Sequence, residues 1–325
     1  MKKKSIFGRE LSLLGFIIFL SVLIGIRNPE FLTIKNLLDI FNDTAILLIC
    51  AIGMLLVIVT GGIDLSIGAT LGLSGMVCAL TVRDYPQLPI VIIILVGIGV
   101  GLCVGTINGI LVAKCKVLPI MATLGMMNIC RALIYFVSGG KWVNTYELTS
   151  AFINFSSSTF CGISVLFLSA VIIYIVFGFF INYNKVGRKI YAVGSNDSAA
   201  KVSGIKVDNI IFLVYALLGT VGGLAGMLWT SRYAFASFET GSGFEMSVIA
   251  ACVLGGVSVT GGTGKISGVL LGALLIGIIN TALPMIQVSS FVKDTIEGCI
   301  ILIAIVANTF MMRWARQKAL RQREI

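Results

Sequence analysis

Long apolar runs separated by short polar connections make up nearly the whole chain. A run of about 17–25 apolar residues is what an α-helix needs to cross the hydrocarbon core of a bilayer. On that criterion the pattern predicts about ten spans: Leu11–Ile26, Thr44–Thr60, Ser66–Val82, Pro89–Ala113, Val117–Ser138, Ile163–Ile181, Ile210–Ser231, Phe244–Ser258, Ile266–Ile286 and Asp294–Met312. At ~20 residues each, ten spans use about 200 of the 325 positions. The connections left over are too short for a soluble domain. The expected fold class is therefore all-α: a polytopic transmembrane helical bundle forming one domain over residues 1–325. Leu11–Ile26 follows Lys2, Lys3 and Lys4 as a signal peptide would, but Arg27-Asn28-Pro29 offers no small-residue cleavage site, so it reads as a retained first span.

Composition strengthens this reading and removes several chemistries. Hydrophobic residues make up 58% and charged residues 12%, against about 25% charged in a soluble domain. Histidine is absent, which excludes His-based acid/base catalysis, Ser-His-Asp triads and His-ligated metals. Of the eight cysteines, Cys50, Cys78, Cys103, Cys130, Cys252 and Cys299 lie in apolar runs, and none forms a CxxC pair. They read as small core hydrophobes, and no metal site is expected.

The net charge of +10 takes its meaning from its placement. With the N-terminus inside, 17 of the 24 Lys and Arg fall in cytoplasmic segments and 6 in outer ones, leaving Arg131 within a span. The positive-inside rule selects that orientation, with both termini cytoplasmic. The basic balance thus reflects topology and anionic lipid, and nucleic acid is not an expected partner.

Glycine carries the next signal, with 37 residues. Gly97, Gly99, Gly101, Gly105 and Gly109 allow helix backbones to approach closely, and glycine also permits helices to break where the backbone lines a cavity. An internal echo accompanies this. Thr60-Gly61-Gly62-Ile63-Asp64-Leu65-Ser66-Ile67-Gly68 and Thr260-Gly261-Gly262-Thr263-Gly264-Lys265-Ile266-Ser267-Gly268 lie 200 residues apart, and Gly105-Thr106-Ile107-Asn108 is echoed by Gly277-Ile278-Ile279-Asn280. Repeats with glycine-interrupted segments in matching places point to a transport pathway. The ten-span count puts both copies in one orientation, and a re-entrant half-helix would change that. Chance similarity between glycine-rich loops is the rival reading.

Two ionisable residues matter most. Asp64 lies between two apolar spans, and its roles remain two: a pathway residue, or an N-cap for the helix that follows. Arg131, inside a span, requires a partner or a wet cavity. Asp294 and Glu297 open the last expected span, where an anionic first turn is favourable. The candidate solute path comprises Gly61, Gly62, Asp64, Ser66, Asn108, Thr123 and Asn280.

The stretch from Asn182 to Asn209 is polar, basic and placed inside by the charge count. Asn196 there is suited to cap a short helix over Ser198–Ser203, stopped by Gly204. Gly261-Gly262-Thr263-Gly264-Lys265 lacks the first glycine and the Ser/Thr of a Walker A loop, so ATP hydrolysis by this chain is not expected, and no cofactor bound by it.

Four segments carry a resemblance: Val57–Gly68; Ala122-Thr123-Leu124-Gly125; Gly187-Arg188-Lys189-Ile190-Tyr191-Ala192-Val193-Gly194 through Ala199–Ile205; and Ile249–Gly256. Together, in this order, they resemble the permeases of bacterial ABC importers of the ribose, xylose and galactose type. The resemblance runs from about Phe31 to Asn308. It implies a non-catalytic permease of the inner membrane that pairs with a second permease, as a homo- or heterodimer. It further implies a cytoplasmic ABC ATPase, which carries ATP and Mg, and an extracytoplasmic sugar-binding protein. It assigns ATPase coupling to the loop containing Gly187, Arg188, Tyr191, Gly194, Asn196, Ala199, Ala200 and Gly204. Two departures stand: Glu245-Met246-Ser247 where many members have Glu-Leu-Asp, and Pro119-Ile120-Met121 where members often have a Pro-Phe pair before Ala-Thr-Leu-Gly. Gly139–Val143 with Gly243–Met246 is nearer the rhamnose and autoinducer permeases. The rivals are an ion-coupled secondary carrier and a membrane-embedded enzyme. The first needs titratable residues deep in the spans and the second an acid/base or nucleophile pair, both of which are sparse here.

Overall fold

A computed structural model of the protein describes residues 3–285 and scattered positions between 292 and 306. Twelve helices account for most of the described residues: α1 Lys3–Arg27, α2 Ile34–Val59, α3 Ile67–Asp84, α4 Ile90–Ala113, α5 Pro119–Ser138, α6 Ser150–Ser157, α7 Val165–Tyr183, α8 Lys185–Ser195, α9 Asp197–Val202, α10 Val207–Tyr233, α11 Phe244–Leu254 and α12 Ile266–Met285. A two-residue hairpin, Thr159–Phe160 with Ile163–Ser164, is the only sheet among them. Seven of the helices are long and apolar enough to cross a membrane. The protein is therefore an all-α polytopic bundle.

The hydrophobicity of each helix finds different company. α2 is apolar all round and 89% of its apolar window is buried, so it forms the axis of the bundle. α7, at 22% buried, presents most of its apolar surface outward, as a lipid-facing helix does. α10 packs against α4 through glycines on both sides: a Cβ at Gly101 would strike the carbonyl of Gly219, and one at Gly223 the carbonyl of Gly97. Close backbone approach of this kind supplies van der Waals contact where lipid removes the hydrophobic drive between helices. Ser74 of α3 donates to both Gly97 O (3.2 Å) and Gly223 O (2.7 Å), tying three helices at one point.

Several boundaries differ from the expectation. α2 begins at Ile34, ten residues before the apolar run expected at Thr44. Thr33 caps it, accepting from Asn36 N–H, and the polar extension carries Asp39 and Asp43 to Arg232 (3.8 and 3.1 Å). The expected span Phe244–Ser258 shrinks to the eleven residues of α11. Before it, residues 235–243 run as turns and extended backbone, pinned by the Val143–Ala236 bridge and by left-handed Gly241 and Gly243. Such backbone survives at membrane depth only when protein or a wet cavity satisfies it. Here Arg131 supplies part of that need, donating from Nη1 to Phe238 O (3.1 Å) and Thr240 O (2.6 Å), which also answers the requirement for a partner. Ser66–Val82 is helical as α3, though it is not among the seven candidate spans. Most of the expected span Asp294–Met312, Asp294 and Glu297 included, lies outside the described residues.

Candidate functional site

The two echoing segments meet in space. α2 ends in a glycine turn at Gly61 (φ 83°), and the connection from α11 to α12 turns at Gly261 and Gly262 (φ 86° and 75°), conformations that a side chain resists. Gly262 N–H donates to Val59 O across the pair (2.9 Å). The two turns thus lie side by side.

α8 lies against this seam. Gly187, Ile190 and Val193 recur at helical spacing and form its buried face, while Arg188 and Lys189 remain exposed. Gly194 sits so close that an added Cβ would overlap the Val59 carbonyl and come within 2.8 Å of Gly262 N. Tyr191 closes the contact by donating its hydroxyl to Gly264 O (2.7 Å), and burial pushes its phenol above the ordinary range. α8 therefore touches both glycine turns at once.

Beyond the first turn stands a buried polar cluster. Asp64 is 2% exposed, and its Oδ1 accepts from Ser66 N–H (2.7 Å) and Ser66 Oγ–H (2.6 Å), while Oδ2 accepts from Asn108 Nδ2 (3.2 Å). Asn108 also donates to Ser66 Oγ (2.9 Å), and Leu65 N–H donates to Thr123 Oγ1 (3.1 Å). Asp64 thus ties the start of α3 to α4, with Thr123 of α5 alongside. Asn108 Oδ1 and Tyr215 Oη are buried there without a hydrogen-bond partner. Gly62 backs onto this group, its absent Cβ pointing at Tyr215 Oη. These polar residues, expected to lie along the solute path, are enclosed.

A cavity of about 1110 Å³ opens elsewhere, between α2, α10, α11, α12 and the irregular segment 235–243. Of the candidate path residues, Asn280 lines it, and Asp64, Ser66, Asn108, Thr123 and the two glycines do not. Its walls combine carboxylates (Asp43, Glu239), hydroxyls (Thr44, Ser237) and aromatic rings. Trp229 packs against Tyr233 (4.9 Å between centroids) and edge-on to Phe244 (5.2 Å), with Trp142 also on the wall. Sequence reasoning missed this site. The signal was present in Glu239-Thr240-Gly241-Ser242-Gly243, a polar glycine-rich stretch where a span should begin.

The outer side of the α8–α9 hairpin is a second surface. Asn196 caps α9, accepting from Ala199 N–H (2.9 Å), and left-handed Gly204 follows the helix. Ala199 is exposed, but Ala200, at 4% exposed, packs into the chain's own core. Within the loop expected to couple to the ATPase, Ala200 therefore faces the bundle, and the buried side of α9 is the one that holds it there. Val202, 91% exposed, is the apolar residue the surface does offer, and it was not anticipated. Among the described residues no group of His, Cys, Asp and Glu is placed to hold a metal ion.

Comparison with known proteins gives a consistent result. A sequence profile of the family described as branched-chain amino acid transport system / permease component matches residues 36–305. The chain is 38% identical over 290 residues to a ribose import permease protein of Bacillus subtilis, covering 89% of each chain. It is 34% identical over 282 residues to an L-arabinose ABC transporter permease protein of Azospirillum brasilense, covering 87% of this chain and 82% of the relative. An autoinducer 2 import system permease protein of Salmonella typhi is 31% identical over 317 residues, covering 98% of this chain and 90% of the relative. No solved structure matches the chain.

Proposed function

The chain belongs to the family of branched-chain amino acid transport system permease components, and from that membership we propose that it is the membrane-spanning subunit of an ABC importer that carries a monosaccharide. The observation that carries this reading is similarity along nearly the full length of both partners to permeases named for ribose and arabinose. The chain is not itself catalytic. Its task is to offer a path whose two ends open alternately, with the energy coming from differential binding of a partner to the two states.

In this reading the protein crosses the inner membrane ten times with both termini cytoplasmic, and the α8–α9 hairpin faces the cytoplasm. A cytoplasmic ATPase that holds ATP and Mg docks there, through Val202 and Ala199 flanked by Arg188 and Lys189. Its movement reaches Gly194 and Tyr191, and through them the paired glycine turns at Gly61–Gly62 and Gly261–Gly264, which form the inner gate. The Asp64–Ser66–Asn108 cluster with Thr123 braces that gate, and Asn280 lies on the path above it. A second permease subunit and an extracytoplasmic sugar-binding protein complete the assembly. Autoinducer 2 is the second cargo, favoured by the relative that matches 98% of the chain.

Reconstituting the chain with its ATPase and binding protein in vesicles tests this reading. Uptake of D-ribose or L-arabinose that requires all three components and ATP is the expected result. Uptake that runs without the ATPase and follows an imposed ion gradient would replace it with the secondary-carrier reading.

A further inference from the structure

The cavity between α2, α10, α11 and α12 has the chemistry of a binding site, whereas a path that only passes solute requires little more than a wet, featureless lining. Two polar groups at its wall are left without protein partners: Thr44 Oγ1, on a residue 3% exposed, and Asn280 Oδ1. A buried hydroxyl or amide without a partner costs about 1–3 kcal/mol, so an arrangement of this kind is stable only if something else supplies the bond. Thr44 of α2 lies directly against α12. Gly277, one turn before Asn280, is so tight against Thr44 Oγ1 that a Cβ there would overlap it. The Thr44 side chain is therefore packed directly against α12.

The apolar part of the wall is equally specific. Trp229 is held by ring contacts to Tyr233 and Phe244, which preset its orientation at the wall. Asp43 and Glu239 add hydrogen-bond acceptors, and one face of Asp43 is already neutralised by Arg232 at 3.1 Å. Among the described residues no Lys or Arg lines the cavity, so these residues offer a phosphorylated or carboxylated solute no counter-charge. An aromatic face beside neutral polar groups and carboxylate acceptors fits a ring with one C–H face and a rim of hydroxyls.

We propose that this cavity binds the cargo directly as a neutral polyhydroxylated ring, stacked on Trp229 and hydrogen-bonded to Asn280 and Thr44, so that this chain discriminates among cargoes in its own right. The proposal rests on the importer reading and deepens it. Discrimination then arises from the permease as well as from the binding protein. A solute lacking a hydroxyl at the contact leaves Thr44 or Asn280 unpaired and is passed less well.

The purified chain in detergent, without the binding protein, tests binding through its tryptophan fluorescence, titrated with D-ribose, L-arabinose, 2-deoxy-D-ribose and D-ribose 5-phosphate. A saturable change with one of the neutral sugars, weakened about tenfold in Asn280→Ala and lost in Trp229→Phe, is the expected result. The phosphorylated sugar should produce none. Equal responses from wild type and both variants, or no response to any sugar, would overturn the proposal. The same variants in the complete ATP-driven complex keep the two readings apart. Normal amounts of protein with an altered ratio of ribose to deoxyribose uptake support the site. ATP-driven uptake with an unchanged ratio in both variants rejects the site while leaving the importer reading intact. Wild-type vesicles that show no ATP-driven uptake of any sugar reject the importer reading itself. Thr44→Ser, which keeps the hydroxyl, guards against misfolding as the cause, and it should bind as wild type does.

Discussion

Replacing Gly194 with alanine tests the joint between α8 and the glycine turns. An added methyl would overlap the Val59 carbonyl and stand 2.8 Å from Gly262 N, atoms of backbone that cannot rotate away. α8 must lift, and its lifting strains the Tyr191–Gly264 bond of 2.7 Å and the Gly262–Val59 bond of 2.9 Å. Overpacking of this kind costs about 1–3 kcal/mol. Two weakened hydrogen bonds add about 1–3 kcal/mol, and the better helix propensity of alanine returns about 1 kcal/mol at most. The net effect is destabilisation of roughly 1–5 kcal/mol, concentrated where α8 meets the seam. Gly99→Ala is the matched control, because nothing lies within 4 Å of its added Cβ. That control should be neutral or slightly stabilising. The assay pairs thermal unfolding in detergent with the ratio of sugar taken up to ATP hydrolysed in vesicles. Gly194→Ala should unfold earlier and hydrolyse ATP with at least tenfold less uptake, whereas Gly99→Ala should match wild type in both. Wild-type stability and coupling in Gly194→Ala would refute the claim that α8 is wedged between the two turns.

Three further outcomes are expected. Asp64→Asn should cost about 1 kcal/mol in unfolding measurements, because the spare Asn108 Oδ1 accepts the new amide proton once that side chain turns over, whereas Asp64→Leu strands Ser66 and Asn108 and should cost several times more. Val202→Asp should abolish stimulation of the partner ATPase while leaving the unfolding temperature unchanged, since 91% of the side chain is exposed; Ala200→Glu, in contrast, buries a charge within the chain and should lower stability by several kcal/mol. On a cysteine-free background, impermeant thiol reagents should label Lys141→Cys from outside the cell and Ser198→Cys only from within, and labelling of Ser198→Cys from outside would invert the topology.

Much of this architecture was legible along the chain, because a bilayer makes a severe demand on any helix that crosses it. Runs such as Pro89–Ala113 and Val117–Ser138 coincide with α4 and α5 to within two residues, since apolar length alone decides a span. Local capping was equally readable: Asn196 and Gly204 bound a short helix through bonds made within a few residues of themselves. What the chain could not disclose were relations that depend on distant partners. α2 extends ten residues beyond its apolar run because Asp39 and Asp43 find Arg232, nearly 190 positions away. α11 shortens because Arg131 and the Val143–Ala236 bridge hold residues 235–243 out of the helix, a competition no local propensity records. The echo at Gly61 and Gly261 was visible as text, but packing alone brought both turns against Gly194. Asp64 stood out in the sequence as an acid between two apolar spans, and the fold enclosed it. The cavity took shape from Thr44, Trp229, Glu239 and Asn280, residues that gain a common purpose only when four helices and a broken segment surround the same space.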